Sequence, residues 1–257
     1  MPTPDREKLR WLALVWGAGI GPVTFRRLIG QFGSARAVLQ ARTDELELPG
    51  LRLTPEQIRL IAGLEERLGE FQIEAEELRA ERVGVLCDWE DDYPELLRDV
   101  RSAPPVICMA GRVLAEDGNA IAIVGTRTPT DSGAEMARGL ARAFAEGGTT
   151  VVSGLARGCD TAAHVGALEG GGRTIAVLGS GILRIHPREN VDLAREASQH
   201  GAGISEQPPQ AHPNVGRLMA RNRLQSALSR GVIVVQAREE GGALEPARRA
   251  LEQRRLV

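Results

Sequence analysis

Two successive units of strand, turn and helix between residues 121 and 168 constrain the fold of this chain most strongly. The apolar run Ile121–Val124 stops at Gly125-Thr-Arg127 before a helical segment, and Thr150–Val152 stops at Ser153-Gly-Leu-Ala-Arg-Gly158 before another. Continuous β-branched strands alternating with helices are typical of a mostly parallel sheet covered on both faces. Because such strands end on one edge beside helix N-termini, the two turns predict an anion-binding site there.

The same alternation continues towards the end of the chain. Strand-like runs at Arg173–Leu178 and Val232–Val235 enclose helical segments at Glu189–His200 and Asn222–Ser229. At 257 residues, 42% of them hydrophobic, the chain is long and apolar enough for one large α/β domain and a smaller one. We therefore predict an α/β fold whose strand ends gather on one edge.

The first 68 residues instead show short helical segments separated by glycine turns. Gly19-Ile-Gly-Pro22 and Leu48-Pro-Gly-Leu51 each resemble the hairpin of a helix-hairpin-helix unit, whose backbone amides can contact a DNA phosphate. The alternative is that these glycines only allow the sharp turns of a small helical domain. The absence of lysines beside either hairpin favours this alternative, because lysines usually accompany phosphate contact. We predict a helical domain over 1–68, a connecting segment with the first strands over 69–119, and the α/β core over 120–257.

Composition argues against several classes of protein. Three cysteines, an odd number without CxxC spacing, favour neither a disulfide framework nor a zinc site, so no metal is expected. The apolar run Trp11–Ile20 is shorter than the roughly 20 residues that cross a bilayer, and it leads into an amphipathic helix rather than a cleavage site. These features favour a cytoplasmic protein without a membrane partner.

Charge is unevenly distributed along the chain. Residues 55–100 carry 14 acidic and 5 basic side chains, net −9, whereas residues 120–257 carry 13 acidic and 17 basic, net +4. Lys8 is the only lysine, so arginine carries nearly all of the positive charge. The planar guanidinium suits phosphates and stacks on bases, and the distribution therefore permits nucleic acid as a partner.

Several kinds of catalytic or cofactor site fit the sequence poorly. Gly179-Ser-Gly181 begins like a dinucleotide fingerprint, but the third glycine falls on Arg184, so no cofactor is predicted. A phosphate-binding loop of the Walker type needs a lysine that this region lacks. A hydrolase triad of Ser153 or Ser180 with His164 and Asp160 is disfavoured because no nucleophile elbow surrounds either serine and Asp160 is a natural helix cap.

A set of anion-holding turns with arginines remains as the candidate site. Backbone amides would hold phosphates, and arginines would add charge and contacts to bases. Aromatic residues make up only 3% of the chain, so a stacking platform is not visible. The candidate positions are Gly125, Thr126, Arg127, Ser153, Gly154, Arg157, Gly179, Ser180, Gly181, Arg217, Arg221 and Arg223.

Taken in order, these motifs resemble the DNA-processing protein A (DprA, or Smf) family. The resemblance rests on Ile123-Val-Gly-Thr-Arg127, Ser153–Asp160, Gly179-Ser-Gly181 with His186–Asn190, Ser205–Pro209 and Arg221-Asn-Arg223. It implies an extended Rossmann-like domain behind a SAM-like helical domain. It also implies a protein of natural transformation, not an enzyme, that binds and protects incoming single-stranded DNA, forms a homodimer and loads RecA.

The resemblance also implies roles for particular residues. Gly125-Thr-Arg127 is similar to the family's phosphate-binding turn; Ser153, Gly154 and Arg157 resemble its second wall, and Arg221 and Arg223 its third. Asp160 and Asn190 are expected to be structural. The chain departs from the family at Gly216–Ala220, which lacks the usual aromatic-proline pair, and at Gly241–Pro246, which lacks the usual small hydroxyl residues. We also expect a truncated chain that lacks a further strand.

Two other functions stay open at the level of sequence. Related Rossmann-like proteins hydrolyse nucleoside monophosphates with a glycine-rich turn and a nearby glutamate, and Gly241-Gly-Ala-Leu-Glu245 resembles that arrangement. A protein-interaction module with a vestigial nucleotide pocket is the third possibility.

Overall fold

The computed structural model describes residues 5–238 and 242–257 and divides into two compact units. The first unit comprises Met1–Asp91 and Arg101–Ile107, and the second comprises Asp92–Val100 and Cys108–Val257. The border drawn at residue 68 from the sequence falls inside the first unit.

Short helices with capped N-termini build the first unit. The side chain of Asp5 accepts a hydrogen bond from Lys8 N, that of Ser34 from Ala37 N and that of Thr54 from Gln57 N, so each cap satisfies an N–H that lacks a helical partner. The elements are α1 (Arg6–Leu12), α2 (Pro22–Phe32), α3 (Ala35–Gln40), α4 (Thr43–Leu46), α5 (Pro55–Ile61), α6 (Leu68–Ala80) and β1 (Val83–Cys87), with a π-helical turn (Ala13–Gly17) after α1.

The first predicted hairpin joins the π-helical turn to α2. Gly19 has a φ of +63°, which a residue with a side chain adopts only with strain, and the neighbouring Ile20 is buried. Pro22 occupies the first turn of α2, where its missing N–H leaves no unsatisfied donor. The glycines therefore form the sharp turn that the sequence predicts.

Seven strands form a mixed sheet, and from one edge to the other their order is β1, β2, β6, β5, β4, β3, β7. Strand β2 is antiparallel to β6, and the pairs β6–β5, β5–β4, β4–β3 and β3–β7 are parallel. Besides β1, the strands are β2 (Val106–Gly111), β3 (Ala120–Val124), β4 (Thr150–Ser153), β5 (Thr174–Leu178), β6 (Gly201–Ser205) and β7 (Gly231–Val234).

Helices cover this sheet through small and aliphatic side chains. Ala137 and Ala141 of one helix and Ala163 of the next pack with Ile123 and Val151 of the central strands, and all five are fully buried. The predicted α/β fold, with a mostly parallel sheet preceded in the chain by a small helical unit, is thereby confirmed. The helices of the second unit are α7 (Glu95–Arg98), α8 (Asp131–Glu146), α9 (Cys159–Glu169), α10 (Val191–Gln199), α11 (Val215–Ala227) and α12 (Glu245–Glu252).

Candidate functional site

The turn after β3 is held in one conformation by its neighbours. A Cβ on Gly125 would lie 2.8 Å from the Cβ of Cys159 and 3.0 Å from Gln236 O, so only glycine fits. Thr126 N donates to Gln236 O at 2.7 Å, and Thr126 O accepts from Cys159 N at 3.2 Å. The turn thus presents Arg127, an exposed cation without an ion pair among the described residues, at the carboxyl edge of the sheet.

The turn after β4 is organised by a buried carboxylate. Asp160 Oδ2 accepts from Gly154 N at 3.1 Å and from Ala156 N at 3.4 Å. The hydroxyl of Ser153 donates to Ile123 O at 2.7 Å, inside the sheet. Ser153 and Gly154 therefore shape the edge of the sheet, and the Ser153 hydroxyl is committed to the fold.

Arg157 extends from the same turn into solvent and forms an ion pair there. Its Nε and Nη2 each lie 2.7 Å from a carboxylate oxygen of Glu189, and both side chains are more than half exposed. The structure thus places this predicted cation opposite an acidic partner from the loop after β5.

The loop after β5 serves close packing. A Cβ on Gly179 would lie 2.8 Å from the Cα of Leu218 in α11, and one on Gly181 would overlap Pro209 O. Ser180 is buried, and its carbonyl accepts from Ser205 Oγ at 2.6 Å. These three predicted site residues allow α11 and the loop before it to approach the sheet.

Helix α11 carries the three remaining predicted arginines, and each has a different environment. Arg217 Nη1 donates to His212 O at 2.7 Å near the capped start of the helix. Arg221 is buried and its Nη1 donates to Val177 O at 3.0 Å. Arg223 pairs with the carboxylate of Glu206, whose pKa burial raises.

Arg221 and Asp160 form a buried pair of opposite charges. Arg221 Nη1 and Asp160 Oδ2 are 4.0 Å apart. Burial lowers the pKa of the Arg221 guanidinium, and burial raises the pKa of the Asp160 carboxyl, against the opposing effects of Arg221 and backbone N–H donors. Because breaking one side of such a pair leaves a charge buried, the pair acts as a structural element beneath the turns.

Two amides extend this buried network along α11. In the amide orientation of Gln225 that gives both its oxygen and its nitrogen a partner, the oxygen accepts from Gly154 N at 2.8 Å and from Arg221 Nη1 at 3.3 Å. The nitrogen donates to Asn222 Oδ1 at 3.1 Å. Asn222 is 7% exposed, and no described residue accepts a hydrogen bond from its Nδ2. The network thus ends in an unpaired donor.

A cleft of about 340 Å³ opens beside the turn after β3. Four of the predicted residues line it: Gly125, Thr126, Arg127 and Arg221. Eight others are not among its lining residues: Ser153, Gly154, Arg157, Gly179, Ser180, Gly181, Arg217 and Arg223.

The cleft also contains residues that the sequence interpretation did not select. Met219, Asn222, Gln225 and Arg238 line it. The position of Arg238 just after a predicted strand could have identified it, because β7 ends at the same edge as β3. Of the segment from Gly241 to Pro246, Gly242, Ala243 and Pro246 line the cleft, whereas Gly241 lies outside the described residues.

The side chains considered for a hydrolase triad have other partners. His164 Nδ1 lies 2.7 Å from Thr174 Oγ1, which itself donates to Val151 O at 2.8 Å. The hydroxyl of Ser153 and the carboxylate of Asp160 are engaged elsewhere, as described above. The three groups therefore form no relay.

Within 5–238 and 242–257, no group of three or more His, Cys, Asp or Glu side chains could hold a metal ion. None of the helices in that part of the chain combines the length and apolar character that a transmembrane segment needs.

Comparison with known families assigns this arrangement. The family described as DNA recombination-mediator protein A matches residues 84–257, and the DprA-like N-terminal HHH domain matches residues 5–51. The chain belongs to the DNA recombination-mediator protein A family. The family resemblance predicted from the motifs is thereby confirmed.

Individual relatives agree with this assignment. Protein Smf of Synechocystis is 37% identical over 98% of the chain and 64% of its own length, and DNA processing protein DprA of Bacillus subtilis is 41% identical over 64% of the chain and 56% of its own length. The chain thus spans about three fifths of these relatives.

Two solved structures of family members resemble this one. DNA processing protein A of Streptococcus pneumoniae gives a TM-score of 0.71 at 26% identity, over 99% of the chain and 86% of that structure. DNA processing protein A of Helicobacter pylori, a structure described by its single-stranded DNA binding mode, gives a TM-score of 0.61 at 31% identity. This match covers 68% of the chain and 79% of that structure.

Proposed function

We propose that this protein binds single-stranded DNA at the carboxyl edge of the sheet and acts in natural transformation and recombination. The observation that carries the proposal is the exposed Arg127 on a rigid turn beside a cleft that Arg238 also lines. Phosphates are bound chiefly by arginine, lysine and backbone N–H groups, which fix a strand without requiring a particular base.

Flexible DNA suits this surface better than a duplex. The cations sit on turns around a concave cleft, and a single strand can bend to bring successive phosphates to them. A B-form duplex keeps its phosphates on a stiff, convex surface. The Helicobacter pylori relative described by its single-stranded DNA binding mode supports the same choice of ligand.

The wider biological role forms the second part of the proposal. In it, the protein acts in the cytoplasm as a homodimer, protects incoming single strands and loads RecA onto them. Membership in the DNA recombination-mediator protein A family supports this part. The names of the relatives, which describe DNA processing proteins, agree with it.

The proposal includes no catalytic step. The glutamate considered for nucleoside monophosphate hydrolysis, Glu245, pairs with Arg249 at 2.8 Å and does not belong to the cleft lining. A general base must reach the group that it deprotonates, so a carboxylate held outside the cleft by arginine is a poor candidate.

The test is the salt dependence of binding to fluorescent oligothymidine, measured by anisotropy. We expect log K to fall linearly with log salt, with a slope of about −0.7 for each phosphate contacted on a single strand. A hairpin duplex of the same charge is the control and should bind more weakly. Equal affinity for the duplex, or binding independent of salt, would contradict the proposal.

The RecA part needs its own measurement. RecA filament assembly on oligothymidine coated with single-strand binding protein is followed with and without this protein. Filament assembly is expected to be faster in the presence of this protein, even when the protein is present in smaller amounts than the nucleotides of the strand. An unchanged rate would refute RecA loading while leaving DNA binding intact.

A further inference from the structure

The cleft beside Gly125 combines three kinds of surface. Arg127 and Arg238 are exposed cations, Leu218 and Met219 contribute apolar wall, and Asn222 contributes an amide. Small-molecule sites have this composition, mostly apolar with a few polar groups that fix orientation. The cleft is therefore equipped for a ligand with charged, apolar and hydrogen-bonding parts.

The charge of the described lining favours an anion. Among the described lining residues there are three arginines and a single carboxylate, Asp160. Asp160 faces the buried Arg221 at 4.0 Å, so these two charges largely offset each other. Arg127 and Arg238 then give the cleft a positive potential that suits a phosphate.

The inner side of the cleft calls for a hydrogen-bond acceptor. Asn222 Oδ1 accepts from Gln225, while Asn222 Nδ2 stays accessible in the cleft and has no acceptor among the described residues. The Nε of Arg221 is buried and has no acceptor among the described residues. Buried donors are normally satisfied, and leaving one unpaired destabilises a protein. A nucleobase, with its carbonyl and ring-nitrogen acceptors, accepts from Asn222 Nδ2.

The volume limits the size of the ligand. About 340 Å³ lies near the lower end of the range of roughly 300–1,000 Å³ found for small-molecule sites. The volume suits a ligand of about the size of one nucleotide.

We propose that the cleft binds a single free nucleoside monophosphate. Its phosphate contacts Arg127 and Arg238, its base packs on Leu218 and Met219, and Asn222 donates to the base. No bond is broken, because Asp160 is held by Gly154 N and Ala156 N beside Arg221. This inference rests on the proposed function in using the same cleft, so a free nucleotide and a DNA strand compete for it.

The test titrates the whole chain with dTMP by isothermal calorimetry. We expect one site per chain and at least tenfold weaker binding of thymidine, because the phosphate contributes charge-assisted hydrogen bonds. Displacement of fluorescent oligothymidine by dTMP is measured in parallel. Chromatography of the same mixtures detects free thymine.

Three variants locate the site. Ala243→Trp fills the cleft from a half-buried lining position and keeps every charge, and Arg127→Ala removes one exposed cation. Both substitutions should weaken the binding of dTMP at least fivefold. Arg195→Ala, on the exposed side of α10 where it pairs with Asp192, has the same change in charge and should bind dTMP like the parent.

Each outcome separates this inference from the proposed function. Oligothymidine binding without dTMP binding overturns the inference and leaves the proposed function standing. Binding of dTMP that Ala243→Trp does not weaken, or release of free thymine, also overturns the inference. Binding of dTMP in the cleft without displacement of oligothymidine also overturns the inference, because the two ligands then do not compete for the same cleft.

Discussion

The guanidinium of Arg221 lies directly against the α-carbon of Gly154, so that a Cβ on that glycine would overlap it. Arg221 Nη1 donates to Val177 O, and Gly154 N donates to Asp160. Glycine is thus required here because a buried arginine crosses beneath the turn after β4. The requirement comes from packing and not from close approach of a ligand.

Replacing Gly154 with alanine should destabilise the fold. The added methyl group forces Arg221 out of its hydrogen bond, and overpacking of this kind costs about 1–3 kcal/mol. The free energy of unfolding is measured by urea denaturation. Gly139→Ala is the matched control: Gly139 is exposed in α8 with open space around it, so the same change should stabilise by about 1 kcal/mol. Equal effects at both sites would contradict the packing argument.

Replacing Arg127 with alanine should weaken single-stranded DNA binding without affecting stability. Losing one charge-assisted contact corresponds to about 1.5 kcal/mol, or roughly tenfold in Kd. The slope of log K against log salt should flatten by about 0.7. Arg142→Ala, exposed on α8 and paired with Glu146, controls for net charge. A wild-type slope in the Arg127 variant would remove this residue from the interface.

Replacing Glu189 with glutamine should strengthen single-stranded DNA binding. Glu189 neutralises Arg157 through two hydrogen bonds in the free protein, and DNA phosphates must compete with it. Without that carboxylate, Arg157 is available, and the salt slope should steepen by about 0.7. Asp192→Asn, which releases Arg195 on α10, is the matched control and should change neither quantity. Identical results for the two variants would indicate a general charge effect.

Stability should fall as the pH is lowered below about 6.5. Burial, with a smaller contribution from the charge of Arg221, lowers the pKa of His164 from 6.5 to about 3. Below pH 6.5 the unfolded chain takes up a proton that the folded protein takes up only near pH 3, so the free energy of unfolding decreases across this range. Urea denaturation at pH 7.5, 6 and 5 measures the slope.

A His164→Leu variant tests the assignment of that slope. The variant is expected to lose stability at every pH, because the hydrogen bond between His164 Nδ1 and Thr174 Oγ1 is lost. Its free energy of unfolding should nevertheless depend less on pH between 7.5 and 5. An unchanged pH dependence would assign the effect to other groups.

The order of strands and helices could be predicted from the sequence, but one boundary near the site could not. We expected a helix over Asn222–Ser229, whereas α11 begins at Val215. Gly216 and the scattered apolar residues obscure the helical period there. The side chain of Asn214 accepts from Arg217 N at 2.8 Å and starts the helix earlier.

The arginines near the strand ends were predicted as one group because their positions along the chain are alike. In the structure Arg127 is exposed, Arg221 is buried and Arg223 pairs with Glu206. The partners of Arg221 and Arg223 lie many residues away along the chain. They come close only because the crossover connections of a parallel sheet bring distant segments to the same edge. Local sequence patterns carry no information on which carboxylate faces which guanidinium.

Asn190 ties the loop after β5 to the turn after β4. Its Nδ2 donates to Leu155 O at 2.8 Å and to Thr161 Oγ1 at 2.9 Å, and Leu155 itself has a φ of +58°. The turn is therefore ordered before any ligand arrives, and the conformational entropy of fixing it is lost during folding. Association then proceeds without that entropic cost, so a ligand at this edge should bind at a rate limited by encounter rather than by loop closure.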